Sequence, residues 1–343
     1  MMSKPRVWSL QQEAPLHEVC SEQDFAALQA EFDLTLHTGP EPVSAEELIA
    51  GIPGYEALLT GWGALPQFTA EFFEAATDLR ILCHLAGSVR GAIAPELVEQ
   101  YLLPRGLVIY TGRGAIAENV AESTVGLLIA SSHRWFENFE RYRRDGVWRD
   151  EALQKPDQYL LGSTLVVLGA SNVGRRVLAL LRGWDLTPLL YDPYVTAEQA
   201  AELGAEKVEL EEALRRADLL ASCLPLTDET GGMLTAARLA LLRDGATFVN
   251  TSRGGVVDME ALIAEARAGR LIVGLDVTDP QEPPPPEVDW REIPNLYILP
   301  HIAGLGRYGY HRIGHGALQA LRDYFASRPV AEALDLARYQ QLA

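Results

Sequence analysis

Two glycines, Gly169 and Gly174, bracket a turn of small residues, Gly169-Ala170-Ser171-Asn172-Val173-Gly174, and a carboxylate, Asp192, follows 23 positions after the first of them (192 − 169). These types at this spacing can hold a dinucleotide. A pyrophosphate needs backbone N–H groups at a helix N-terminus and a turn without bulky side chains. Gly169 permits the tight turn, and Gly174 lets a helix lie close against the preceding strand. Asp192 stands where a carboxylate accepts hydrogen bonds from adenosine ribose hydroxyls. Its charge repels a 2′-phosphate, so the pattern reads as NAD rather than NADP. The middle glycine of the usual G-x-G-x-x-G is Ser171 here. Serine is small and its hydroxyl is expected at the phosphate, with less freedom for close approach.

The elements around the turn are those it requires. Thr164–Leu168 is a short β-branched apolar run of strand length. Val177, Leu178, Leu180 and Leu181 then form a stripe at helical spacing, and a second apolar run, 186–191, leads into Asp192. Strand, turn, helix, strand is half of a dinucleotide-binding fold. The alternation continues downstream. Helices are expected over 210–216, 234–242 and 258–268, and strands over 217–224, 246–250, 272–277 and 296–299. Ligands in open α/β sheets sit beyond the carboxyl ends of strands. Arg253 and His301 each follow such an end, and the proline-rich loop carrying Glu282 leaves from a third, the strand that holds Asp276.

Upstream, short apolar runs at 6–10, 80–85 and 107–110 alternate with amphipathic stretches at 24–31 and 45–49. No dinucleotide fingerprint follows any of these runs, so this half is expected to hold a substrate. Residues 117–134 read as one long helix with Val120, Thr124, Leu127, Leu128 and Ser131 on its less polar face. The stretch 141–150 is polar and basic, with Trp148 as its one large apolar anchor. The fold class expected is α/β: two Rossmann-like domains with parallel sheets flanked by helices.

At 343 residues the chain is long for one core, so two domains are the default. A formal net charge of −18 repels phosphate backbones and makes nucleic acid an unsuitable partner. No apolar run approaches the roughly 18 residues of a membrane span, and the first residues have no signal-peptide core, so a cytoplasmic location is expected. The three cysteines, Cys20, Cys83 and Cys223, are far apart and suggest neither a disulfide framework nor a zinc site. His311 and His315 stand four apart, but no H-E-x-x-H surrounds them and Gly314 and Gly316 weaken the helix, so no metal is expected.

From about Leu79 to Tyr324 the order of motifs resembles the D-isomer-specific 2-hydroxyacid dehydrogenase family. The strings are Asn119-Val-Ala-Glu-Ser-Thr124, the turn above, Tyr191-Asp-Pro193, Leu224-Pro-Leu-Thr227, Val249-Asn-Thr-Ser-Arg-Gly-Gly-Val-Val-Asp258, Gly274-Leu-Asp-Val277, and Pro294-Asn followed by Pro300-His-Ile-Ala-Gly304. The resemblance implies hydride exchange between NAD and the 2-carbon of a small acid. It implies Arg253 as the clamp on the substrate carboxylate, His301 as the acid/base, and Glu282 as the carboxylate that orients the imidazole and favours its charged form. Gly87, Ser88 and Val89 match the family's substrate loop, although Arg90 departs from the residue common there. Leu224, Pro225, Thr230, Thr251, Asp276 and His301 join Gly169, Ser171, Asn172, Val173 and Asp192 as implied cofactor contacts. Residues 1–115 plus 313–343 would form the substrate domain and 116–312 the NAD domain, with the site in the cleft between. A homodimer through the 117–134 helix is implied as well.

The glutamate assignment rests on two counts that differ. Glu282 lies 19 residues before His301 (301 − 282), which suits the family. Five residues on from Asp276 lands on Gln281 instead, and formate dehydrogenases of related type pair this histidine with a glutamine. Glu282-Pro283 favours the glutamate. A dehydrogenase of formate or phosphite, and a non-catalytic NAD sensor of the same fold, remain alternative readings, and no motif names the acid.

Overall fold

The computed structural model describes residues 3–149 and 159–341. The chain divides into two compact units, Met1–Ile116 with Leu305–Ala343, and Ala117–Gly304.

The first unit is a parallel sheet of five strands among the described residues: β1 Arg6–Ser9, β2 Asp33–Leu36, β3 Ala57–Gly61, β4 Ile81–Leu85 and β5 Val108–Thr111, in the order β2-β1-β3-β4-β5. Side chains alternate across it. Val7, Leu59, Ile81, Cys83 and Tyr110 pack on one face, and Leu58, Leu82 and Ile109 on the other. Both faces are covered by helices, which is why these strands read as apolar runs rather than as alternation. Two strands escaped the sequence reading. β3 has every residue buried but runs straight into Gly61-Trp62-Gly63, which reads as a turn. β2 is a half-exposed edge with no apolar run.

The C-terminal helix, Arg307–Phe325, starts six residues before the expected boundary at 313 (313 − 307) and packs Ile313, Ala317, Leu318 and Leu321 into this core. Two ionic contacts tie it to the Glu22–Glu31 helix. His315 Nδ1 lies 3.0 Å from Asp24 Oδ1, and Arg322 donates to both carboxylate oxygens of Glu31, at 2.8 and 2.5 Å. His315 thus has a carboxylate partner, and among the described residues no group of three or more His, Cys, Asp and Glu side chains is placed to hold a metal ion.

The second unit is a parallel sheet of seven described strands: β6 Thr164–Leu168, β7 Thr187–Tyr191, β8 Glu206–Lys207, β9 Leu219–Ser222, β10 Thr247–Asn250, β11 Ile272–Leu275 and β12 Leu296–Ile298. Their order is β12-β11-β10-β9-β6-β7-β8. The order reverses at β6: β7 lies on one side and β9 on the other, which opens a crevice beyond the carboxyl end of β6. Leu165, Val167, Leu190 and Val249 face one layer of helices, and Val166, Leu168, Leu220 and Phe248 the other. Each fully buried Val or Leu contributes roughly 1.5–3 kcal/mol relative to exposure. The Arg113–Ser132 helix covers part of the first layer with Ala121, Leu127 and Leu128.

Some expectations need correction. The helix expected over 234–242 shrinks to Ala236–Leu239. A capped helix at Ala197–Glu202, with Thr196 and Gln199 as its capping box, and the short edge strand β8 were missed. Trp148 is no anchor: it is 79% exposed and touches Tyr142 edge-on. The basic stretch containing it belongs partly to the Trp135–Asp145 helix, and its last residue, Asp150, lies outside the described residues. Among the described residues no helix is long and apolar enough to cross a membrane.

The ionic ties of the C-terminal helix give a pH prediction. Burial raises Asp24, but bonds from Ser21 and His315 and the charge of Arg322 outweigh it, and the carboxyl sits below its ordinary value. The Arg322 bond likewise holds Glu31 low. Carboxyls depressed by folding stabilise the native state above their unfolded values, and that contribution is lost as pH falls through the folded ones. Chemical denaturation between pH 6 and about pH 3 is expected to show falling stability, with a shallower fall in Arg322→Ala.

Candidate active site

His301 follows β12, and its backbone is unusual. Its φ is 53°, in the left-handed region where a side chain costs on the order of 1 kcal/mol or more. Hydrogen bonds on both sides hold it there. The His301 amide donates to Leu299 O at 3.0 Å. The next two amides, of Ile302 and Ala303, donate to the two carboxylate oxygens of Asp276 at 2.8 and 2.9 Å. From the long helix, Ser123 Oγ donates to Ala303 O and Asn119 Nδ2 to Gly304 O. Asp276 is buried at the end of β11. Burial pushes its carboxyl above the ordinary range, and the two amide bonds pull it part of the way back.

The His301 ring meets Glu282. Nδ1 lies 2.5 Å from Glu282 Oε2, while Glu282 Oε1 accepts from the Thr278 amide at 3.0 Å. A carboxylate only accepts, so Nδ1 carries the proton and Nε2 is left to exchange one with a ligand. Gln281 does not reach the imidazole. Its side chain turns to Pro283 O, and its backbone carbonyl accepts from Thr278 Oγ1 at 2.7 Å. The His301 side chain is 53% exposed. An ion pair this open contributes about 0–1 kcal/mol to stability, so its consequence is orientation.

Arg253 sits in the loop after β10. Asn250 builds that loop: its Nδ2 donates to Arg253 O at 2.9 Å, and its Oδ1 accepts from the Ser252 amide and hydroxyl. Arg253 Nη1 donates to Ser252 O at 2.7 Å, with the outer part of the side chain exposed. Crowding by protein on one side lowers its pKa, and Glu282 opposes that shift; an arginine keeps its charge regardless. The Arg253 loop lies directly against the Glu282 loop. A Cβ on Gly254 would stand 2.2 Å from Thr278 O, so only glycine permits this approach. One acid/base group, one carboxylate and one planar cation therefore meet on three adjacent loops of a single unit.

The turn after β6 has the shape a pyrophosphate needs. Gly169 has φ 93°, and a Cβ on Gly174 would stand 2.0 Å from Gly169 O. Ser171 caps the Asn172–Leu180 helix, accepting from the Gly174 amide at 3.3 Å, and donates to Cys223 O at 2.8 Å. Its hydroxyl ties the turn to the end of β9. Asn172 and Val173 form the first turn of that helix. Asp192 closes β7, its oxygens accepting from the Ala170 and Tyr194 amides at 2.7 and 2.8 Å. An ionised carboxylate has about four acceptor positions, so ribose hydroxyls still find lone pairs. The arrangement fits NAD, and it would bring a 2′-phosphate onto a carboxylate.

The remaining candidates are placed as follows. Leu224 is buried beyond β9. Pro225 O accepts from Thr230 Oγ1 at 2.5 Å, within a tight turn. Thr251 is buried and hydrogen-bonded to Thr124 at 2.6 Å. In the first unit, Ser88 Oγ accepts from the Arg90 amide, and Val89 is buried with its carbonyl taken by Tyr339 Oη. Nearby His84 is a core residue: Nδ1 lies 2.9 Å from Thr60 Oγ1, and burial lowers its pKa to about 4. The three cysteines are buried, and burial raises their thiols, so none is a ready nucleophile. A cavity of about 420 Å³ lined by Ala14, His17, Glu18, Tyr310 and His311 contains none of the candidate residues. Sequence reasoning missed Asn250, Thr278 and Ser123. Each is a small polar residue whose partners lie elsewhere in the chain or in a loop, so its type and place in the sequence gave it no role of its own.

Known proteins carry the same pattern. Residues 125–303 match the description of the NAD binding domain of the D-isomer specific 2-hydroxyacid dehydrogenases. A glyoxylate reductase of Korarchaeum cryptofilum is 31% identical over 303 residues, 88% of this chain and 86% of that protein. A D-3-phosphoglycerate dehydrogenase of Archaeoglobus fulgidus is 28% identical over 86% of this chain, which spans about half of it, 54%. The crystal structure of the TT0316 protein from Thermus thermophilus superposes with a TM-score of 0.75 at 28% identity, covering 96% of this chain and 99% of that one. The D-mandelate dehydrogenase of Rhodotorula graminis shares the fold at a TM-score of 0.79 and 21% identity, over 96% of this chain and 98% of that one. With the dinucleotide turn, the Asp192 carboxylate and the matched domain in agreement, the chain belongs to the D-isomer specific 2-hydroxyacid dehydrogenase family, whose members are NAD-dependent oxidoreductases acting on CH–OH groups.

Proposed function

We propose that the chain catalyses the reversible NAD(H)-dependent reduction of a small 2-keto acid to its D-2-hydroxy acid. The observation that carries this reading is the 2.5 Å contact of His301 with Glu282 on a loop packed against the one bearing Arg253. NAD(H), when bound, supplies or takes the hydride. His301 gives a proton to the substrate oxygen from Nε2 in reduction and takes it back in oxidation, because Nδ1 is held by Glu282. Arg253 holds the acid's carboxylate with its planar fork and polarises the carbonyl. Glu282 is a positioning residue that acts through the imidazole. The Gly87–Val89 loop of the first unit is proposed to offer amide N–H groups to an anionic ligand. Among the described residues, none of the three amides is engaged in a backbone hydrogen bond. The glutamate partner favours this reading over a formate-type enzyme, and the glyoxylate reductase at 31% identity supports a small substrate.

Self-association is proposed through the 117–134 helix together with the helix that follows it. The Arg113–Ser132 helix buries Leu127 and Leu128 within its own unit. The following helix leaves Trp135, Phe139 and Tyr142 exposed, and Trp148 packs edge-on against Tyr142. Clustered exposed aromatics of this kind mark contact surfaces.

Two measurements test these proposals. NADH oxidation with glyoxylate, hydroxypyruvate, pyruvate, 2-ketoisocaproate and phenylpyruvate is expected to show one favoured acid, and His301→Ala to lose about 10²–10⁴-fold in kcat with it. A loss of only a few-fold rejects the role of His301. Sedimentation equilibrium is expected to give twice the 37.6 kDa chain mass, and a monomer rejects the aromatic patch as a self-contact.

A further inference from the structure

The crevice beyond β6 is bridged. Tyr194, two residues past Asp192, donates its hydroxyl to Glu229 Oε2 at 2.5 Å. Tyr194 follows β7 and Glu229 follows β9, and these two strands flank β6. The bond therefore joins the two loops that leave the strands on either side of the dinucleotide turn, at the switch point of the sheet. Both ends are anchored. The Tyr194 amide is held by Asp192 Oδ1 at 2.8 Å. Glu229 rides on a stiff turn in which the Thr227 amide donates to Thr230 Oγ1, the Gly231 amide to Thr227 O, and the Gly232 amide to Gly255 O. Yet the pair itself is at the surface: Tyr194 is 50% exposed and Glu229 is exposed. Neither side chain has a core to fill, so the bond serves little in stability.

We propose that Tyr194 and Glu229 form a strap over the adenosine end of the cofactor crevice. The strap opens for the dinucleotide to bind or leave. When closed, it sets a second carboxylate one tyrosine side chain away from Asp192. Glu229 is then a specificity residue: a 2′-phosphate at the ribose meets two negative charges instead of one. Because a surface charge pair is screened, the second carboxylate adds to the discrimination of Asp192 and does not replace it. The inference rests on the cofactor half of the site alone, and it stands whichever acid is the substrate.

The test is binding, not turnover. Stopped-flow tryptophan fluorescence on the full chain gives association and dissociation rates for NADH and NADPH. Tyr194→Phe removes only the hydroxyl and is expected to speed NADH dissociation about two- to tenfold, in keeping with one hydrogen bond. Glu229→Gln keeps an acceptor for the tyrosine but removes the charge. It is expected to leave NADH dissociation within about twofold and to narrow the NADPH-to-NADH ratio of Kd several-fold. Unchanged NADH rates in Tyr194→Phe, with an unchanged thermal midpoint, overturn the strap. An unchanged Kd ratio in Glu229→Gln overturns Glu229 as a specificity residue. Loss of all dinucleotide binding by the wild-type chain would instead reject the cofactor assignment itself.

Discussion

The site depends on one buried carboxylate. Asp276 carries a charge at the end of β11, where an unpaired charge is costly, and it is tolerated because two successive amides point at it. Those amides belong to the two residues after His301. Their capture fixes the turn that holds His301 in a left-handed conformation, with its ring toward Glu282. Without Asp276, Ile302 and Ala303 would lose their acceptors and the turn could relax to an ordinary φ. The histidine would then no longer be aimed. The implied cofactor contact of Asp276 and this structural task are compatible, since two lone pairs remain.

The sheet explains why so many functional groups come from short loops. In a parallel sheet every strand delivers its next residue to the same edge. β6, β7, β9, β10, β11 and β12 thus place Gly169, Asp192, Leu224, Arg253, Glu282 and His301 beyond one edge of the second unit, although they span more than a hundred residues of chain. Close packing does the rest. Gly174 against Gly169 and Gly254 against Thr278 are contacts that any side chain would break. They set the pyrophosphate turn and the approach of the arginine loop to the glutamate loop. The rigid elements are buried on both faces, whereas the groups offered for chemistry are half exposed.

Much of this was legible in the sequence. The strand–turn–helix–strand pattern ending in Asp192 gave the dinucleotide unit to within a residue or two, because each element there has its own periodicity and punctuation. The 19-residue spacing also favoured Glu282 over Gln281, the side chain that meets His301. Less legible was whatever depends on partners distant in sequence. β2 and β3 lack a long apolar run because one is an edge and the other is cut short by glycine. The bond of Ser171 to Cys223 O was not legible, because the partner lies 52 residues away. Glu229 carried no signal of its own, because its bond to Tyr194 spans 35 residues. Trp148 looked like an anchor because size alone suggests burial, yet nothing in the sequence says which surface it joins.

The central claim is that His301 and Glu282 act as one unit. A double-mutant cycle on kcat, with His301→Ala, Glu282→Gln and the two combined, measures this directly. Groups that act together do not lose rate independently. The expected result is a double variant no slower than His301→Ala alone, within about twofold, because Glu282 has no role once the imidazole is gone. Losses that multiply would contradict the account, and would mean that the glutamate works on the reaction by some route other than the histidine.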